Sequence, residues 1–172
     1  MSLLPATNKQ VPDHAIMDHF NKQVYLGNQY SVNKSFTIGT SEIALLLLNN
    51  VQTGSAVNQK ALFQNIFKMA LETPLVSLTF NAYLNPVITS AGTAVTPINM
   101  RPAYGNNSIA TVTSSPAFSS IGTLVDSISA ASQSVSLSEL LRILDNGQSL
   151  LITGIGSAAG ILSNLILQWY EI

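Results

Sequence analysis

A chain of 172 residues with 9% charged side chains and a net charge of −1 is excluded from several classes of function before any motif is read. A nucleic-acid binder needs a basic face to displace counterions, and there are only seven Lys and Arg here. The absence of cysteine excludes a disulfide framework and thiolate metal sites, while a 47% hydrophobic content is enough to give one domain a substantial core.

An average soluble domain is about 25% charged; here Ser, Thr, Asn and Gln stand in for the missing charges. Near-zero net charge favours association, so a polar but uncharged exterior suits life against other protein. No stretch reaches 18 apolar residues, and no membrane-spanning helix is expected. The opening Met-Ser-Leu-Leu-Pro has no basic region followed by an apolar run, so no signal peptide is expected either.

Residues 1–30 differ from the rest. They hold both histidines and only scattered apolar positions. Ala15 to Val24 fits a short helix with Ile16, Phe20 and Val24 on one side; the reading preferred is an extended arm, ordered only where it lies on its own core or on a neighbour. Residues 31–172 then read as one β-domain. Strand character starts at Tyr30, with Val32, Phe36 and Ile38, and breaks at Gly39-Thr40. The apolar run Ile43 to Leu48 is too short for a buried helix and suits a strand covered on both faces. Val51 to Asn58 reads as a loop. Lys60 to Leu71 fits either a helical stripe or a strand, and the strand is preferred because the short connection at residues 72–75 suits a hairpin.

Val76 to Asn85 carries the firmest signal: Val76, Leu78, Phe80, Ala82 and Leu84 alternate with polar residues for ten positions, as a half-buried strand requires. Its apolar face needs a second layer, so the fold class expected is all-β, an antiparallel sandwich of jelly-roll type. An internal echo follows. Pro86, Gly92 and Thr93 recur thirty residues later as Pro116, Gly122 and Thr123, predicting two similarly built corners in which glycine supplies unusual dihedrals. Ile109–Thr113 and Thr123–Ile128 read as short strands, Ala130–Ser134 as a loop, and Ser138–Leu144 as a helical turn or a strand. Asp145-Asn146-Gly147 is a tight turn, Leu150–Ile155 a strand, and Gly154–Gly160 a turn. The last strand, Ser163–Tyr170, puts Leu165, Leu167 and Trp169 on one face, for about eight to ten strands in all.

Chemistry is sparse. Asp13-His14 and Asp18-His19 are metal-ligand types, but their five-residue spacing does not put both histidines on one helical face, and solvation on an arm explains them. No Gly-x-Ser-x-Gly elbow accompanies the serines, and most of the eight acids fall at strand edges or turns. Gly154, Gly156 and Gly160 mimic a phosphate loop without the helix that such a loop needs. Neither an enzyme nor a bound cofactor or metal is expected. Trp169, Tyr170 and Tyr83 fit core and interface packing better than a ligand platform. By position, the loop from Pro97 to Ser108, with Arg101 and Tyr104, is the best candidate contact surface, since binding concentrates on loops held by a rigid sheet.

The run Asn85, Pro86, Ile88, Thr89, Ser90, Gly92, Thr93, Ala94, Thr96, Pro97 and Asn99, the stretch from Pro116 through Gly122-Thr123, the Asp145-Asn146-Gly147 turn and the terminal Trp169-Tyr170-Glu171 resemble a family of small tailed-bacteriophage virion structural proteins. The resemblance covers about residues 25–172 in outline, on turn and strand-end signatures. Ser127 to Ser138 departs from it in being nearly uncharged. It implies a non-enzymatic capsid decoration or cement protein on the virion surface, assembled in the host cytoplasm. Its partners would be the major capsid protein and further copies of itself, as a homotrimer, with no nucleic acid or membrane. The contact residues expected are Leu3, Leu4, Val11, Ile16 and Phe20 of the arm, with Arg101 and Tyr104. A tail, baseplate or head-fibre component, or a carbohydrate-binding jelly-roll module using Trp169 or the tyrosines, is the alternative.

Overall fold

The computed structural model describes residues 26–52, 60–71, 73, 76–103, 107–131, 135–138 and 142–172, with the backbone alone at 63–71, 135–138 and 142. Fourteen strands are found among them and no helix: β1 (Gln29–Ile38), β2 (Ile43–Asn49), β3 (Leu62–Leu71), β4 (Ser77–Leu84), β5 (Val87–Ser90), β6 (Thr93–Val95), β7 (Ile98–Asn99), β8 (Thr111–Ser114), β9 (Ala117–Ser120), β10 (Thr123–Ala131), β11 (Val135–Ser138), β12 (Arg142–Leu144), β13 (Ser149–Gly156) and β14 (Ile161–Glu171).

The alternation read in β4 is the alternation found. Leu78, Phe80 and Ala82 enter the core, while Thr79, Asn81 and Tyr83 face out half-buried. Pairing then nests the chain: β1 with β14, β2 with β13, β3 with β11 and β12, β4 with β10, all antiparallel. First with last and second with second-last is the winding of a jelly roll. It gives one sheet in the order β11-β3-β14-β1-β7, with β12 also on β3, and a second in the order β10-β4-β13-β2-β8-β6. The core between them holds Phe80, Leu46, Leu48, Leu150, Ile152, Leu165 and Leu167, with Tyr30 stacked on Trp169 at a centroid distance of 6.1 Å.

The crossover from β4 to β10 contains the thirty-residue echo, and its two halves dock reciprocally. β5 pairs with β9, β4 with β10 and β8 with β6. The registers are related by the same thirty-residue shift: Leu84 opposite Thr123 corresponds to Ser114 opposite Thr93. Asn85 and Ser115, each just before a proline, both have φ of 53°. The Asn85 N–H donates to the Ser149 carbonyl (2.8 Å) and the Ser115 N–H to the Leu45 carbonyl (2.9 Å). The correspondence extends into the middle of the sheet, where Leu150 opposite Leu48 mirrors Ile152 opposite Leu46. The second sheet therefore has an internal pseudo-twofold axis through the Leu47–Leu151 pair.

That axis explains why Leu45 to Leu48 is apolar throughout. Leu46 and Leu48 join the main core, whereas Leu47 and Leu151 turn to the opposite face and are still 2% and 0% exposed. β5 leaves the end of β4, and Gly92 beyond its far end touches Ser114 to Pro116 at the end of β8. Between those points lie three strand spacings, about 14 Å, so the β5–β9 ribbon crosses over β13 and β2. It roofs Leu47 and Leu151, with its central pair, Ile88 and Phe118, on the same axis.

Several expectations are corrected. The strand count exceeds ten because the crossover breaks into five short strands. The strand preferred for Lys60–Leu71 is found, as β3 from Leu62, and of the two readings of Ser138–Leu144 the strand is found at the end of β11 and in β12, with 139–141 outside the described residues. Ala130 and Ala131 belong to β10 rather than a loop, Ala130 being buried. Gly154 and Gly156 also lie in a strand. A Cβ at Gly154 would sit 2.9 Å from Leu45 Cδ1 and 3.0 Å from Ile38 Cδ1, so glycine is there for close packing rather than for turning. Ile98 and Asn99, read as loop, add β7 to the edge of β1. Gln29 already pairs in β1, one residue before the strand character read from Tyr30.

Candidate functional site

Of the expected contact residues, Leu3, Leu4, Val11, Ile16, Phe20 and Tyr104 lie outside the described residues, as do Asp13, His14, Asp18 and His19. Arg101 is described and half-buried, its N–H donating to Asn99 Oδ1 (2.8 Å). Asn99 Nδ2 reaches the Gly27 carbonyl (2.9 Å), and the Met100 N–H donates to the Gln29 carbonyl (2.9 Å). Edge strand β7 is thereby tied to the start of β1 where residues 1–25 join the body. Leu26, just before β1, and Ile98 and Met100, in and just after β7, are large apolar residues left 42%, 63% and 41% exposed at this edge. An edge strand bearing large apolar side chains is a template for pairing with another chain.

A second constellation lies on the outer face of the other sheet. Asn81 and Thr153 are cross-strand neighbours there, as are Tyr83 and Leu151. Glu42, in the turn before β2, lays one carboxylate oxygen, Oε1, over them. It accepts from the Asn81 amide (2.8 Å), the Tyr83 phenol (3.0 Å) and the fully buried Thr153 hydroxyl. The network continues sideways: Ser127 Oγ donates to Asn81 Oδ1 (2.7 Å), and the Thr79 and Ser129 hydroxyls share a hydrogen bond of 2.8 Å. Burial pushes the Glu42 carboxyl upward, but the bonds from Thr153, Asn81 and Tyr83 outweigh it and hold it below the ordinary carboxylate range. The Tyr83 phenol is raised, by burial first and then by its bond to Glu42.

Because the folded value of Glu42 is depressed, its contribution to stability is present above the unfolded value of about 4.3 and fades as pH falls through the folded one. Glu42→Gln should therefore melt below the wild type at pH 7, with the gap closing under acid conditions. Thermal melts of both proteins across the range check this, and a gap independent of pH would refute it.

The other candidates resolve into structure. Trp169 and Tyr170 are 0% and 1% exposed, which removes them as a ligand platform and leaves Tyr83. Gly154 to Gly160 covers the end of β13 and the passage to β14 in the other sheet, with no helix to receive a phosphate. Among the described residues no three His, Cys, Asp or Glu side chains gather where they could hold a metal ion. The Glu42 network was not read from the sequence. The alternation in β4 put Asn81 and Tyr83 on one face, but their acceptor is about forty residues upstream and carries no local signal.

No protein-family model matches the chain, and no curated protein matches it either.

Proposed function

We propose that this protein is a non-enzymatic virion component, a capsid decoration or cement protein that binds the phage head and its own copies as a homotrimer. The observation that carries the reading is the apolar edge formed by Leu26, Ile98 and Met100 at the root of the N-terminal segment. That edge lies on a jelly roll whose chain is only 9% charged. In such a protein the mechanism is buried area. A stable contact needs more than about 1,000 Å², with apolar anchors inside a polar rim, and a low-charge exterior keeps the desolvation cost of that contact small. The sequence resemblance to tailed-phage virion proteins supports the same reading, with the major capsid protein as partner and the capsid surface as location.

Two measurements test it. Analytical ultracentrifugation of the full chain should give a trimer, and co-sedimentation with heads built from the cognate capsid protein should show saturable binding. Ile98→Lys and Met100→Lys should each weaken association about tenfold or more, as expected for removal of an interface anchor worth over about 1.4 kcal/mol. A monomer at high concentration that ignores capsids defeats the proposal, and binding confined to tails or baseplates moves the protein elsewhere in the particle.

A further inference from the structure

We propose that the outer face of the β10–β4–β13 half-sheet, centred on Glu42, Asn81 and Tyr83, binds a neutral saccharide. The inference goes beyond the capsid reading and does not depend on it, since the apolar edge at β7 belongs to the other sheet.

Glu42 is the starting point. All three of its donors converge on Oε1, so the carboxylate is fixed in orientation while Oε2 has no partner among the described residues. An immobilised carboxylate with one open oxygen accepts two hydroxyl donors at no further ordering cost to the protein. Vicinal sugar hydroxyls present such a pair of donors.

The surroundings fit the rest of a sugar. Ser127, Thr79 and Ser129 line the face beside Asn81 with hydroxyls that both donate and accept. Next to them the half-buried Tyr83 lies opposite Leu124, itself 53% exposed, giving an apolar strip alongside the hydrogen-bonding field. A pyranose has this same division between hydroxyl edge and C–H face. The β5–β9 ribbon crosses the sheet over Leu151, the cross-strand neighbour of Tyr83, and so walls one side of the face. The only charge in the network is the Glu42 carboxylate, which does not suit an anionic sugar and selects a neutral one.

The test is a titration of the full chain, followed by amide chemical shifts, with neutral oligosaccharides built on glucose, mannose, galactose and N-acetylglucosamine. At least one should bind and shift resonances of β4, β10 and the Glu42 turn. Glu42→Gln should lower that affinity about tenfold or more, and the exposed replacements Ser127→Ala and Leu124→Ser should each lower it about threefold or more. Because Ser127 and Leu124 are exposed, their variants should keep the wild-type melting temperature, which separates lost binding from lost folding. No binding by any of these sugars at millimolar concentration overturns the proposal, as does binding that maps elsewhere or survives all three substitutions.

Discussion

Gly92→Ala and Gly122→Ala should each destabilise the protein by more than about 4 kcal/mol, a loss in the range that few single substitutions reach. Two effects act together. Both residues sit in the left-handed region, at φ of 77° and 90°, where a Cβ costs about 1–2 kcal/mol on its own. Each Cβ would also run into backbone: 2.2 Å from the Ser114 carbonyl oxygen at Gly92, and 2.3 Å from the Leu84 carbonyl oxygen at Gly122. Backbone anchored in a six-stranded sheet cannot swing aside as a side-chain tip can. Relief would have to come from lifting the β5–β9 ribbon off Leu47 and Leu151, exposing both.

The control is built into the chain. Gly147 and Gly160 have φ of 85° and 75°, yet a Cβ at either meets nothing within 4 Å. Gly147→Ala and Gly160→Ala should therefore lose only the conformational part, about 1–2 kcal/mol. Urea unfolding of the four variants separates strain from collision, and four equal losses would mean that the corners do not dock as described.

These glycines show what a sequence discloses and what it withholds. The Pro86 and Pro116 echo announced two corners because the turn chemistry is local. That each corner closes on the other is a matter of register between segments thirty residues apart, and no local pattern encodes it. Likewise the run Ile43 to Leu48 was legible as a strand, and the covering expected on both faces holds for Leu45 to Leu48, whereas Ile43 at its start is 37% exposed. Its roof was not legible, because β5 and β9 are four residues each and belong to neither large sheet. The β3 segment was ambiguous for a physical reason: its apolar residues satisfy a helical stripe and a strand face alike. Gly154 was misread as a turn because glycine permits turning, although here the missing side chain makes room for Ile38 and Leu45. The Glu42 network was withheld most completely, since its members come from the turn before β2 and from three separate strands.

At the opposite end of the sandwich, Glu171 should give a pH dependence of the reverse sign to that of Glu42. Its side chain is 2% exposed, and Oε1 accepts from the Ser108 hydroxyl (2.7 Å) and the Ile109 N–H (2.9 Å), fastening the crossover to the last strand. Burial raises its carboxyl above the ordinary value, and the bonds from Ser108 and Ile109, together with the charge of Lys60, only partly offset this. A raised folded value means that the folded state holds the proton more tightly than the unfolded chain. The stability contributed is therefore full below the unfolded value of about 4.3 and declines as pH rises through the folded value. Glu171→Gln keeps an acceptor for both donors and removes the buried charge, so it should match or exceed the wild type at pH 8 and lose that advantage near pH 4. Glu171→Ala strips the acceptor instead and leaves two donors without a partner, each costing about 1–3 kcal/mol; it should be destabilised at every pH. Since Glu42 tilts the wild-type curve the other way, the informative quantity is the difference between wild type and Glu171→Gln, measured by chemical unfolding at each pH. A flat difference from pH 4 to 8 would show that the Glu171 carboxylate is not held out of water by the closed end of the sandwich.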